Sequence, residues 1–267
     1  MNITTNCDSA FFEPDAIHSF FPSSIPLCGL TILARAKSKL CIALLDLDQV
    51  EDSLKQRDSR LPKQVLSEPE LSYFKRFGYP KRRREWLGGR IAAKAAMLEL
   101  HKPDRLHARL QQLSILPDDH GRPIADTMKN ISISISHSDQ FAVGLAVKGR
   151  ACGIDLQQIS SKLPGLTDRF ASAHELTILA KLPVLGDQTT RLTMLWAAKE
   201  ALKKSLLHDQ PAIFSGIELQ RITIIQDYLY RFHCTVDGHC EQTTMTYDFS
   251  PYILSLTTTD HAGTPRS

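Results

Sequence analysis

Gly153-Ile154-Asp155 and, further along, Trp196-Ala197-Ala198-Lys199-Glu200-Ala201-Leu202-Lys203-Lys204 are the two segments whose reading decides the fold and the chemistry. The first places a carboxylate at the end of a short apolar strand, Ala151 to Leu156. The second lies in a helix expected from Thr190 to Leu207. At about 100° per residue, Leu195, Ala198, Leu202 and Leu206 share one side, the core face. Trp196, Glu200 and Lys204 follow at i, i+4 and i+8 and lie roughly opposite it. Taken alone, that stripe reads as a solvated face with a Glu–Lys pair. A large aromatic on a purely solvated stripe is unusual, so a second apolar contact, from another lobe or a cleft wall, is expected over Trp196. Together the segments offer two carboxylates for a hard metal and a lysine for phosphate.

Working outward, Ile131 to Ser136 alternates isoleucine and serine, the pattern of a half-buried strand. Its isoleucines face a core and its serines face the other way. Ser136-His137-Ser138 closes it with groups able to donate hydrogen bonds to phosphate oxygens. His137 reads equally as a histidine satisfied within a turn, and Asp155 as a strand-end turn carboxylate. Asp155 and Gln157 stand on one face of their strand. Magnesium takes oxygen ligands, typically one or two carboxylates with substrate phosphates and water. Asp155 with Glu200 suits it if the two meet, and Gln157 adds a neutral oxygen or orients a water. A Ser–His–Asp hydrolase built on His137 and Asp155 is disfavoured, because no Gly-x-Ser-x-Gly elbow occurs.

Eight basic residues and one acid, Glu85, lie between Lys75 and Lys94. Lys81-Arg82-Arg83-Arg84 is expected just before a helix beginning near Glu85. Cations there oppose the helix dipole unless an anion joins them. Arg90 and Lys94 are expected further along the same face. Gly88-Gly89 costs helix stability and suggests a close approach of backbone or ligand. The segment reads as a phosphate site for a small ligand or as a solvated basic run. Nucleic acid is the weaker reading, because aromatics do not interleave and no reading module is present.

The 267 residues, 42% hydrophobic and 23% charged with a net charge of +3, describe an ordinary globular chain and no polycation. The six cysteines are scattered without a Cys-x-x-Cys. No signal peptide is read at the start, and the longest apolar stretch, Leu40 to Leu47, is too short for a membrane span. A reducing cytoplasm is the expected setting. His233-Cys234 and His239-Cys240 suggest zinc, but a two-residue Asp237-Gly238 turn would pair Val236 with His239 and Cys234 with Glu241. Neighbours would then face opposite ways, so the four groups would not converge.

Residues 1 to about 39 read as irregular, Leu40 to Leu47 as a strand, and Asp48 to Lys63 as loop or weak helix. Glu68 to Arg76 and Arg84 to His101 read as helices, as does Asp168 to Leu182. Phe141 to Val147 reads as a strand, and Ile217 to Thr258 as several. No internal repeat is visible. Each half mixes helices with antiparallel strands, which implies α+β with two lobes: residues 1–150 with the basic segment, and 151–267 with the metal and catalytic motifs.

Lys81-Arg82-Arg83-Arg84-Glu85-Trp86-Leu87-Gly88-Gly89-Arg90, Gly121-Arg122-Pro123, Ile135-Ser136-His137-Ser138, Gly153-Ile154-Asp155 and Trp196 to Lys204 occur in one order. This pattern resembles the 4'-phosphopantetheinyl transferases of the surfactin-synthetase-activating type. The resemblance implies a pseudo-dimer of two similar α+β lobes, monomeric in solution, with coenzyme A in the cleft between them. It implies Arg84, Arg90, Arg122, Ser136 and His137 as coenzyme A contacts. Asp155, Glu200 and, in place of a more usual glutamate, Gln157 are implied at the magnesium. Glu200, Lys204 and an auxiliary Lys199 are implied in catalysis. The implied reaction moves phosphopantetheine from coenzyme A to a serine of an apo acyl or peptidyl carrier protein, in fatty acid, polyketide or peptide synthesis. It releases 3',5'-ADP. No nucleic acid or membrane partner is expected. The competing readings are a degenerate module that binds coenzyme A or a carrier without chemistry, and a magnesium-dependent nucleotide phosphohydrolase.

Overall fold

The computed structural model describes residues 30–36, 39–56, 60–101, 110–126, 128, 130–182, 186–207, 216–237 and 240–259. The chain is α+β with two lobes, each a sheet backed by one long helix. The first lobe runs β1 (Leu30–Ala36), β2 (Leu40–Asp46), α1 (Leu47–Lys55), α2 (Leu61–Val65), α3 (Glu68–Phe74), α4 (Pro80–His101), β3 (Ile115–Pro117), β4 (Pro123–Ala125), β5 (Ile131–Ser138) and β6 (Phe141–Lys148). Its main sheet has the order β1-β2-β6-β5 and is antiparallel throughout. The second lobe runs β7 (Ala151–Gln158), a 3-10 segment (Leu163–Arg169), α5 (Ala173–Ala180), α6 (Gln188–Leu206), β8 (Ile217–Gln226), β9 (Leu229–Val236), β10 (Cys240–Phe249) and β11 (Tyr252–Thr259). Its sheet order is β7-β11-β10-β9-β8.

Three apolar clusters make four layers. Ile91, Ala92 and Met97 of α4 pack on Ala43, Leu45 and Ile133 of the first sheet. Leu195, Ala198 and Leu202 of α6 pack on Phe232, Cys234 and Ile253 of the second. Between the sheets, Leu40, Ile42 and Val143 meet Ile154, Leu156 and Leu254. Each such side chain contributes about 1.5–3 kcal/mol of burial, so the lobes are joined by a core. The alternation of β5 now has a physical reason. β7 pairs with β11 on one side only, and its other edge meets β5. Ser134 Oγ accepts from Ile154 N at 3.0 Å and Ser138 Oγ from Gln158 N at 2.8 Å. Small hydroxyls thus let the lobes close while satisfying the edge amides of β7.

Several expectations are corrected. The stretch expected to be irregular up to about residue 39 contains β1; residues 1–29 lie outside the described residues. Asp48 to Lys63, read as loop or weak helix, holds most of α1 and the start of α2; Asp46 ends β2 and caps α1 by accepting from Asp48 N at 2.9 Å. α4 begins at Pro80, where proline's fixed φ suits the first turn. Lys81 to Arg84 are therefore inside the helix rather than ahead of it. The helix expected from Asp168 starts only at Ala173, where Ser172 caps it. Cys240 pairs with Val236, and Gln242 with Cys234, one residue away from the two-residue-turn register. Asp237 itself takes a positive φ of 50°, as Asp tolerates in a longer turn; Gly238 and His239 lie outside the described residues.

The chain also contains a repeat that escapes the eye. Ser67 and Glu70 form a capping box at the start of α3, and Ser172 and Glu175 form one at the start of α5. Lys94 Nζ donates to Glu70 at 2.5 Å and to Val65 O at 2.8 Å, over separations of 24 and 29 residues. Lys199 Nζ donates to Glu175 at 2.8 Å and to Phe170 O at 2.7 Å, over the same 24 and 29 residues.

Candidate active site

The site is built where α6 crosses β7. A Cβ on Gly153 would overlap Ala201 O and press on Ser205 N, so only glycine lets the helix lie this close. Residue 155 then faces the helix two positions on. Asp155 is buried, and its Oδ1 accepts from Lys204 Nζ at 2.7 Å and from Ser136 Oγ at 2.9 Å. Lys204 also donates to Ile154 O at 3.0 Å. Asp155 Oδ2 is buried with no hydrogen-bond partner. Glu200, one turn before Lys204, has its pKa raised, first by burial and then by the charge of Asp155. Two carboxylates and a lysine thus converge from one strand and one helix.

The end of β5 closes the site from the other lobe. His137 Nδ1 lies 3.8 Å from Glu85 Oε1 at the start of α4. Burial is the main reason its pKa is lowered; Lys204 and Arg82 lower it further, while Glu85 and Asp155 oppose them. Those four neighbours place the imidazole within the field of the carboxylate site. Glu85 and Arg82 were missing from the expected site. The signal for Glu85 was present as the lone acid of the basic run, but only the fold aims it at His137. Trp196 packs edge-on against Phe170 at 5.2 Å, within the apolar cluster of its own lobe rather than against the other lobe.

Other expected site residues stand elsewhere or are otherwise occupied. Ser136's hydroxyl is turned to Asp155 instead of presenting itself to a nucleotide phosphate. Gln157 shares the strand face of Asp155, and its amide donates weakly to Gln158 O at 3.5 Å. Arg84 is tied to Glu51 at 2.7 Å, Asp48 at 3.5 Å and Asp139 O at 3.2 Å, so it clamps α1 and the β5–β6 turn onto α4. Arg90 lies buried 3.9 Å over the Trp86 ring, its pKa lowered to about 10 by desolvation. Arg122 pairs with Asp118 at 3.0 Å in the β3–β4 turn. Lys94 follows Arg90 by one turn on the same face of α4, as expected, but it is fully buried against Glu70. Lys199, expected as a catalytic auxiliary, is 2% exposed, its ammonium held by Glu175 and Phe170 O. For the three arginines, a carboxylate, carbonyl or ring supplies the partner that a phosphate was expected to supply. His233 faces Arg221 and Glu241, while Cys234 is buried under α6.

Two family models match the chain. The 4'-phosphopantetheinyl transferase superfamily model covers residues 151–257, and the 4'-phosphopantetheinyl transferase N-terminal domain model covers residues 76–147. The chain is 31% identical over 108 residues to a holo-[acyl-carrier-protein] synthase of Staphylococcus carnosus, spanning 40% of this chain and 92% of that one. It is 32% identical over 110 residues to the synthase of Geobacillus kaustophilus, spanning 40% and 84%. A crystal structure of a holo-(acyl-carrier-protein) synthase from Bacillus anthracis in complex with CoA (3',5'-ADP) aligns over 42% of this chain and 95% of that one, at 27% identity and a TM-score of 0.36. The chain belongs to the 4'-phosphopantetheinyl transferase superfamily.

Proposed function

We propose that this transferase moves 4'-phosphopantetheine from coenzyme A to a serine of an apo acyl or peptidyl carrier protein, with magnesium, and releases 3',5'-ADP. The observation that carries the reading is the convergence of Asp155, Glu200 and Lys204 where β7 meets α6, within the segment matched by the superfamily model. The surfactin-synthetase-activating subtype is part of the proposal, as is a division into lobes near residue 150. The family models, which end at 147 and begin at 151, support that division.

The residues present fit magnesium. Asp155 Oδ2 is buried and lacks a partner, and burial beside Asp155 disfavours the ionised form of Glu200. A divalent cation answers both deficits. No three of His, Cys, Asp and Glu converge among the described residues. Magnesium does not require three, since substrate phosphates and water complete its shell. Asp155 and Glu200 would hold it, and Gln157 stands on the same strand face. Bound with the diphosphate, it supplies charge neutralisation. Glu200 accepts the proton of the attacking serine, directly or through a water. The serine oxygen bonds to the β-phosphorus as the bond from that phosphorus to the 3',5'-ADP oxygen breaks. Lys204 stabilises the negative charge left on the departing phosphate. His137 is the side chain best placed at the β5 end to meet the nucleotide's 3'-phosphate, with Glu85 behind it. Arg84, Arg90 and Arg122 enter only if they exchange the partners described above. A monomer in the cytoplasm, with no nucleic acid or membrane partner, completes the proposal. No helix among the described residues is long and apolar enough to cross a membrane.

Two predictions follow from the metal chemistry. Gln157→Glu adds a carboxylate to the face of Asp155 and tightens Mn2+ or Mg2+ binding roughly tenfold by calorimetry; unchanged affinity would place Gln157 outside the site. In metal-free protein the carboxyl carbon of Glu200 titrates above its ordinary 4.5, because the fold disfavours the charged form. Adding Mg2+ lowers the midpoint, since the cation favours the carboxylate. A midpoint unmoved by Mg2+ in carbon-detected NMR counts against Glu200 as a ligand. The reading as a whole is tested by incubating apo carrier with coenzyme A and Mg2+ and weighing the carrier.

A further inference from the structure

Lys199 precedes Glu200 on α6, yet it takes no part in the site. Its ammonium donates at 2.7 Å to the carbonyl of Phe170 and pairs with Glu175, and both side chains are at most 2% exposed. Glu175 is itself fixed from two further directions. Its Oε2 accepts from Ser172 N at 2.8 Å, and its Oε1 from Leu219 N at 2.7 Å. One node therefore ties α6 to the end of the 3-10 segment, the start of α5 and strand β8. Residues 199 and 200 are about 100° apart around the helix axis. Whatever fixes the direction of Lys199 also fixes that of Glu200.

The first lobe contains the same node without the chemistry. Lys94 reaches Glu70 and Val65 O, and Glu70 accepts from Ser67 N at 2.8 Å and from Ile115 N at 3.0 Å. There the residue following the lysine is Ala95, with no catalytic group to aim. The duplicated node separates two roles that usually coincide, holding a lobe together and directing a side chain.

We propose that Lys199 and Glu175 are a positioning pair that sets the rotation of α6 and so aims Glu200 at Asp155, and that Lys94 and Glu70 are its purely structural counterpart. The inference rests on the transfer reaction proposed above for its kinetic readout, and on the carboxylate pair alone for a second readout. Two double variants, Lys199→Met with Glu175→Gln and Lys94→Met with Glu70→Gln, each remove a charge pair without leaving a buried ion unpaired. Their melting temperatures, kcat on a carrier, KM for coenzyme A, and Mn2+ affinity by calorimetry are compared with wild type.

Both doubles are expected to melt lower. The second-lobe double should lose at least tenfold in kcat and at least fivefold in Mn2+ affinity, with KM for coenzyme A within about threefold. The first-lobe double should keep kcat and Mn2+ affinity within about twofold of wild type. Lys199→Arg alone, which keeps the charge and reaches Glu175 with a longer, planar head, should retain a fold and show an intermediate kcat. It decides the matter if the second-lobe double does not fold. Equal kcat losses in the two doubles, or wild-type kcat in Lys199→Arg and in any folded second-lobe double, would overturn positioning. If wild-type protein transfers nothing, the transferase reading fails. The Mn2+ comparison then still supports or overturns the positioning pair.

Discussion

Glu200→Gln should abolish transfer while leaving the protein folded and able to bind coenzyme A. The substitution removes the proton acceptor and one of two metal carboxylates, and general-base catalysis alone contributes about 10²–10⁴-fold. Helix propensity barely changes, since Glu and Gln rank together. Stability should not fall either. The folded pKa of Glu200 is raised, so its ionised form is destabilised by the fold, and this penalty is present at pH values above the ordinary carboxylate range. A neutral amide removes it. The expected result is a melting temperature at or above that of wild type, coenzyme A affinity within about threefold, and no detectable product in a single-turnover assay. Activity near that of wild type would exclude Glu200 from the chemistry.

Gly153→Ala should be the most damaging single methyl group in the second lobe. The added Cβ overlaps a backbone carbonyl, Ala201 O, with the Ser205 amide close behind, and backbone in a helix cannot swing aside as a side chain can. α6 must lift from β7, at a cost of about 3 kcal/mol. The lift would also carry Glu200 and Lys204 away from Asp155, so any folded fraction should be inactive and bind Mn2+ weakly. Urea unfolding measures the first effect and calorimetry the second. Gly165→Ala is the control. A Cβ there meets nothing within 4 Å, so its effect should stay within about 0.5 kcal/mol. Equal effects at the two positions would refute the close-contact explanation of Gly153.

The carboxylate–lysine site was legible because its spacing survives translation into structure. Asp155 ends an apolar strand, and Glu200 and Lys204 are one helical turn apart, so a single contact between strand and helix unites them. The β5 alternation was equally readable, although only the structure shows that Ser134 and Ser136 are buried against the edge of β7 that no sheet neighbour pairs. The arginines were not legible. Arg84 is neutralised by Glu51, 33 residues earlier, whereas Arg90 stacks on Trp86 and Arg122 pairs with Asp118, each only four residues before it, partners that the sequence offers but does not single out over a phosphate. Charge in a sequence shows no partner. Lys199 stands next to Glu200 in the sequence, but its partner Glu175 lies 24 residues earlier, a pairing that no local pattern shows. The repeat stayed hidden because its two copies share little beyond Ser-x-x-Glu and Ala-Ala-Lys, and only their hydrogen bonds reveal the correspondence.

The most direct measurement is the intact mass of a panel of apo acyl and peptidyl carrier proteins after incubation with this protein, coenzyme A and Mg2+. The expected result is a gain of one phosphopantetheine on the carrier serine, with 3',5'-ADP released, and no gain when EDTA is added or Glu200→Gln is used. Coenzyme A consumed without carrier modification, or no gain on any carrier, would contradict the proposed transfer.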